Sequence, residues 1–175
     1  MDISYSRSYF GDKEVMSKVL FDLPTMYYEK VISEIFKTPC EPTVDELMYA
    51  YFISSEGKTY GYYTGLRGLN EIHGTTQVPA VIEIVSNKVS EEKEYSYSYY
   101  RYVVKPARVT VTNENALYME ILDLLENCYD YFEEEPLMVV GRFIERHSLL
   151  KNSFEPLLMG YSSRTKEVIM SVFTR

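Results

Sequence analysis

The sequence predicts an α+β fold: a small mixed or antiparallel sheet packed against helices, followed by a mainly helical C-terminal half. Three observations lead there. Between residues 60 and 112 lie short runs rich in β-branched and aromatic residues, "AVIEIVS" at 80–86 above all. After them Leu117, Ile121, Leu124, Leu125, Cys128 and Phe132 fall at helical spacing and form one stripe. Hydrophobic residues make up 46% of the 175, enough for burial to offset the entropy of ordering one domain. That domain divides into a helical part (1–59), a sheet-forming core (60–112) and a helical C-terminal part (113–175).

The elements follow in order. "KEVMSKVLFD" at 13–22 predicts a short helix, and Pro24 suits the first turn of the next, "PTMYYEKVISEIFK". Thr38-Pro39 and Glu41-Pro42 break the pattern. "TVDE" at 43–46 is a capping box opening a helix that carries Leu47, Met48, Tyr51 and Phe52. "SSEGK" at 54–58 is a turn, and 60–63 a short strand. Thr64 is placed as the N-cap of a helix over 65–72 that Gly74 ends in the left-handed conformation. Val78, before Pro79, is pushed extended and leads into the strand at 80–87. "NKVSEEKEYS" reads as a polar hairpin connection to an antiparallel partner strand at 97–105. "RVTVT" at 108–112 reads as a further strand. A long helix is expected through 113–135, then one from Pro136, then two short helices around Gly160. The eighteen tyrosines suit half-buried packing, an apolar body with a polar tip.

The formal net charge is −8, and its distribution narrows the function classes. Residues 1–60 carry six basic and ten acidic side chains; 61–112 carry six and five. Residues 113–135 carry eight acids and no base, and 136–175 six bases and three acids. No basic footprint of the kind that grips phosphates stands out. No apolar run approaches the ~18 residues that span a bilayer, and the N-terminus lacks the apolar stretch of a signal peptide, so the cytosol is the expected compartment. Cys40 and Cys128 are far apart and are expected to be buried reduced thiols.

Enzyme signatures are absent: there is no G-x-G-x-x-G, Walker loop, G-x-S-x-G or H-E-x-x-H. No catalytic residue, metal site or cofactor is predicted. His73 and His147 lack an acid or cysteine at ligand spacing, and His73 beside a helix end suits the helix dipole. "GLRG" at 65–68 has the form of the G-x-x-G loop with which a KH module clamps phosphates. Here, though, the glycines open a helix directly after a strand, which favours close helix–strand packing. Glu120, Asp123, Glu126, Asp130 and Glu134 fall opposite the apolar stripe. They read either as a solvated face or as a docking surface for a basic partner. Arg101, Lys105 and Arg108, or Arg142 and Arg146 with Arg164 and Lys166, are the candidate phosphate contacts of a DNA-binding regulator, against a reading as scattered solubilising charges.

The run "TGLRGLNEIHGTTQVPAVIEIVSN" resembles the signature of the AbiEi family, the antitoxin components of bacterial type IV toxin–antitoxin systems. The matching positions are Thr64, Gly65, Leu69, Asn70, Thr75, Thr76, Gln77, Val78, Pro79 and the strand ending at Asn87. Downstream, "YRYVVKPARVTVTNENALYMEILDLLE" resembles the family's next strand, basic crossover and helix, so the resemblance covers roughly residues 42–127. Where the family has Gly-Leu before the threonines, this chain has His73-Gly74. Such antitoxins usually begin with a winged helix-turn-helix that binds their own promoter. The first sixty residues show no basic recognition-helix pattern, so promoter binding is not carried over. The resemblance implies a non-enzymatic antitoxin of an abortive-infection system. Its functional partner would be a nucleotidyltransferase-like toxin with which it need not form a stable complex. The signature residues themselves read as fold determinants.

Overall fold

The computed structural model describes residues 43–97 and 100–174. The helices expected over 13–22 and 24–37, and Cys40, lie outside the described residues.

Helix α1 spans Val44–Phe52 and opens with the expected capping box: the Thr43 hydroxyl accepts from the Glu46 amide at 3.3 Å, and the Glu46 carboxylate accepts from the Thr43 amide at 2.8 Å. A tight hairpin follows, β1 (Ser54–Ser55) with β2 (Lys58–Thr59). Its two turn residues, Glu56 (φ 53°) and Gly57 (φ 73°), take the left-handed conformations that match the strand twist.

The main sheet comprises β3 (Gly61–Thr64), β4 (Val81–Ser86), β5 (Lys93–Tyr97) and β6 (Tyr100–Pro106), in the order β3-β4-β6-β5. Two expectations are corrected here. Strand β6 lies parallel to β4, not antiparallel, with Ile82 opposite Tyr102 and Ile84 opposite Val104. The chain leaving β4 passes over to the far edge, forms β5, and returns antiparallel as β6 into the centre. Segment 87–92 is long enough for that step, because two strand spacings are only about 10 Å and each extended residue reaches about 3.3 Å. The second correction concerns 108–112, which forms no strand. Side-chain amides take its backbone groups instead. Asn87 donates to the Val111 carbonyl (2.8 Å) and accepts from the Val111 amide (2.9 Å), while Asn115 bonds the Thr112 amide and the Thr110 carbonyl.

Helix α2 (Gly65–Glu71) joins β3 to the segment before β4. Thr64 precedes it without capping it through its side chain. The helix ends one residue earlier than expected, and it is His73 (φ 61°), not Gly74, that turns left-handed. The Gly74 amide then donates to the Leu69 carbonyl (2.7 Å) and the His73 amide to the Asn70 carbonyl (3.1 Å), a Schellman closure. Gly68 is where helix and strand meet: a Cβ there would lie 2.8 Å from the Tyr63 carbonyl oxygen and 3.1 Å from Leu124. Gly68→Ala is therefore expected to destabilise by about 1–2 kcal/mol, the overpacking outweighing the gain in helix propensity. A denaturant midpoint at or above that of the parent would contradict this close approach.

The long helix expected through 113–135 is α3, Ala116–Asn127, followed by a 3-10 turn at Tyr129–Tyr131. Helix α4 (Pro136–His147) begins at the proline as expected, its missing amide falling where no intrahelical partner exists. Helix α5 (Lys151–Phe154) and α6 (Ser163–Val172) flank Gly160, and the Ser162 hydroxyl accepts from the Thr165 amide at 3.3 Å to cap α6.

Alternation along the strands gives the sheet two covered faces. On one, Tyr63, Ile82, Ile84, Tyr95, Tyr102 and Val104 pack under Val44, Leu47, Met48 and Phe52 of α1. On the other, Tyr62 and Val85 pack with Val111, Ala116 and Met119. The opposite side of α3 (Ile121, Leu122, Leu124, Leu125) meets α2, α4 and the C-terminal segment through Val140, Phe154 and Ile169. Helix α3 is thus sandwiched between sheet and helices, which leaves it little solvated face. Among the described residues no helix is long and apolar enough to cross a membrane.

Candidate functional site

The family-signature residues gather at one corner. Thr64 closes β3, and Gly65 (φ 62°) turns the chain into α2. Leu69 is fully buried in the helical core. The Asn70 amide donates to the Gln77 carbonyl at 2.9 Å, bracing the loop against the helix it has just left. Thr75 and Thr76 converge on Glu133, a residue that the sequence reading did not single out. The Thr75 hydroxyl donates to its carboxylate at 2.8 Å, and the Thr76 amide and hydroxyl at 3.1 and 3.0 Å. The Gln77 amide returns to the Thr75 hydroxyl (3.2 Å), and the Glu133 amide donates to the Gly74 carbonyl (2.9 Å). Pro79 is buried, while Val78 points outward at 84% exposure. Asn87 at the far end clamps Val111.

The backbone of the G-x-x-G run serves as a corner and does not itself wrap a phosphate. A Cβ at Gly65 would meet the Glu83 carboxylate at 2.7 Å, so an anion already occupies the space beside the first glycine of the G-x-x-G run. The donors around Glu133, the Thr76 amide first, hold its carboxyl below the usual carboxylate range. Its contacts are present at neutral pH and are lost as pH falls through that lowered value. Glu133→Ala is accordingly expected to speed amide exchange at Thr76 and Gln77 while leaving exchange in α3 unchanged. Unaltered protection at the loop would show that Glu133 does not hold it.

The five acidic residues do not form one docking face, which corrects the reading of them as projecting from a single helix side. Glu120 and Asp123 are buried, at 7% and 5% exposure. Asp123 accepts from the Tyr62 hydroxyl at 2.6 Å and from the Tyr161 hydroxyl at 2.8 Å. Burial and the Asp123 charge push both phenols well above the ordinary tyrosine range. Glu126 accepts from the Ser162 amide (3.0 Å) and the Ser162 and Thr165 hydroxyls (2.8 and 2.7 Å), tying the start of α6 to α3. Asp130 lies beyond the end of α3, in the 3-10 turn, and Glu134 pairs with Arg142 at 2.9 Å. The buried Glu120 side chain makes no hydrogen bond among the described residues. Burial, and then the neighbouring Glu71, push its carboxyl up to about 8.

The basic candidates are dispersed as well. Arg142 is paired with Glu134, and Arg146 stands exposed near the end of α4. Arg164 lies 4.3 Å over the Tyr129 ring. Arg101 and Lys105 share one face of β6, and Lys105 bonds the Glu83 carboxylate across to β4. Arg108 lies 5.2 Å over the Tyr161 ring. The histidines stay structural: His73 closes α2, and the His147 ring packs 4.3 Å from that of Phe143. Cys128 is a buried free thiol, pushed up to about 11 chiefly by burial, so it stays protonated at neutral pH. Among the described residues no group of His, Cys, Asp and Glu could hold a metal ion.

Where β3 and β4 run past the C-terminal end of α3, the sheet face that carries Tyr62 is not fully covered. A cavity of about 580 Å³ remains, reached by Thr64, Glu83, Lys105, Arg108, Asn127 and Tyr131 among others. It brings together residues that the sequence reading assigned to three separate groups: the signature, the basic candidates and the acidic segment. A second hollow, of about 560 Å³, lies between α1, the β1–β2 hairpin and α2, with Asp45, Glu46, Tyr49, Tyr63 and Arg67 on its walls. Tyr63 there is pushed up to about 12, mainly by burial. No family model, no curated protein and no solved structure matches this chain.

Proposed function

We propose that this chain is a non-enzymatic antitoxin of the AbiEi kind, acting in the cytosol of a bacterium against a nucleotidyltransferase-like toxin. The observation that carries the reading is the Thr64–Asn87 run. Its signature residues have a coherent physical role together, as the strand, helix, braced loop and strand of one corner. The absence of a paired base and nucleophile among the sequence motifs is in keeping with a protein that does not catalyse. Since Glu120 and Asp123 are buried, an acidic docking helix is not part of the reading, and neutralisation without a stable complex suits it better.

The test is to look for a nucleotidyltransferase gene beside this chain's gene and to co-express the two. The enzyme alone is expected to arrest growth, and the enzyme together with this chain to leave growth intact. Continued arrest by an active enzyme, with the chain present and folded, would overturn the proposal. The alternative of a DNA-binding regulator predicts salt-sensitive binding to its promoter fragment. It is weakened by the carboxylate partners of Lys105 and Arg142.

A further inference from the structure

We infer that the cavity beside the end of α3 is a binding site for a small anion that carries a ring, of the nucleoside monophosphate class. The inference is independent of the antitoxin reading, because it concerns what the purified chain binds directly.

The first support is Thr64. It is 96% buried, at 4% exposure, lines the cavity, and its hydroxyl makes no hydrogen bond among the described residues, not even to cap the helix that follows. No side-chain polar atom among the described residues is both sealed from solvent and unsatisfied. The Thr64 hydroxyl therefore faces the cavity as an open donor and acceptor. A ligand oxygen can bond it in place of water.

The second support is the charge arrangement. Lys105 bonds Glu83 and retains two further donors for an incoming group. Among the described residues Arg108 has no carboxylate within ion-pair distance, and its guanidinium lies over the ring of Tyr161. Glu126 acts on Arg108 at longer range while accepting from Ser162 and Thr165, and Asp123 accepts from two phenols. The lining thus carries two charges of each sign, and the Arg108 guanidinium, held in no ion pair among the described residues, is the cation that can turn to a ligand. Its planar fork suits phosphate oxygens.

The third support is what surrounds these donors. Tyr131 stands at the rim with half its surface exposed, a flat face on which a ring can stack. Asn127 uses its amide nitrogen on the Asp123 carbonyl, so its side-chain oxygen is open to accept from a ring N–H or a ribose hydroxyl. The volume falls within the range of small-molecule sites, roughly 300–1,000 Å³. A phosphate alone would engage Thr64, Lys105 and Arg108 and leave Asn127 and Tyr131 unused.

The experiment is calorimetric titration of the full chain with AMP, GMP, CMP and UMP, and separately with inorganic phosphate and the parent nucleosides. At least one monophosphate is expected to bind more tightly than about 1 mM, and phosphate and the matching nucleoside markedly more weakly. Arg108→Ala is expected to weaken binding by about tenfold or more, the loss of a charged hydrogen-bonding partner. Thr64→Val, which keeps the side chain's shape, is expected to weaken it severalfold, with the melting temperature of each variant showing that it is folded. Arg146→Ala, remote in the fold, is expected to leave binding unchanged. The inference is overturned if no monophosphate binds in the millimolar range, if phosphate binds as well as the monophosphates, or if folded Arg108→Ala and Thr64→Val bind like the parent.

Discussion

Replacing Glu120 with glutamine is expected to stabilise the protein by about 3 kcal/mol at pH 7 and by almost nothing near pH 4. The reason lies in where α3 is held. Glu120 is 7% exposed, makes no hydrogen bond, and shares its surroundings with the carboxylate of Glu71. Desolvation and a like charge both disfavour ionisation, so its carboxyl titrates near 8 in the folded chain against 4.5 in the unfolded one. Below the lower value both states are protonated and nothing is lost. Between the two the unfolded chain gives up the proton while the folded chain keeps it, so stability declines as pH rises through that window. Glutamine has the shape of the protonated acid and no proton to lose, so its advantage should grow with pH across the same range. Denaturant unfolding of parent and variant at several pH values measures it. An equal difference at pH 4 and pH 8 would mean that Glu120 does not titrate in this window.

Asp123 should respond in the opposite sense. Asp123→Ala is expected to destabilise by about 4 kcal/mol, because it strips the acceptor from two buried phenols at once and leaves a void. Tyr62→Phe, which leaves Tyr161 bonded, is expected to cost about 2 kcal/mol, and Asp123→Asn less than Asp123→Ala. The same trio predicts an alkaline signature. Tyr62 and Tyr161 stay protonated well beyond the ordinary tyrosine range, so ultraviolet titration of the native chain should leave them un-ionised until the fold gives way. A small effect of Asp123→Ala on the unfolding free energy would remove this residue as the junction of sheet, α3 and the segment before α6.

The contrast between these two carboxylates shows what periodicity conveys and what it does not. The spacing of Leu117, Ile121, Leu124 and Leu125 located α3 and its helix-facing side. It also placed Glu120 and Asp123 opposite, on a face read as solvated or as a docking surface. Sheet and helices press α3 from both sides, so the opposite side is interior too. A single helix in isolation carries no sign of a second layer. Strand β5 was hidden for a related reason. Edge strands are blunted with charge, and Lys93 and Glu94 made 93–96 read as part of a polar loop. With β5 overlooked, a short connection implied a hairpin from β4 to β6 and the wrong strand direction. "RVTVT" had the alternation of a strand, but Asn87 and Asn115 take its backbone groups before a ladder can form. Local signals fared unevenly, Thr64 failing as a side-chain cap of α2 and His73 taking the left-handed place expected of Gly74. The Thr43–Glu46 capping box and the start of α4 at Pro136 depend on residues within one turn, and both are found as expected.

The site was legible in pieces only. Thr64, Lys105, Arg108 and the acidic segment were each visible in the sequence. The β3–β4 pairing and the parallel β4–β6 register place the first three around one cavity, and neither register could be read from spacing. Glu133 was one acid among eight in its segment, and the fold alone selects it as the partner of Thr75 and Thr76.

The antitoxin reading is tested most directly by colony counts on inducing a nucleotidyltransferase found encoded beside this gene, together with the parent chain or with Asp123→Ala. With the parent, the predicted count matches that of a catalytically inactive toxin; with the destabilised variant, it falls toward that of the toxin alone. Loss of colonies with a parent chain that accumulates in folded form would contradict the reading.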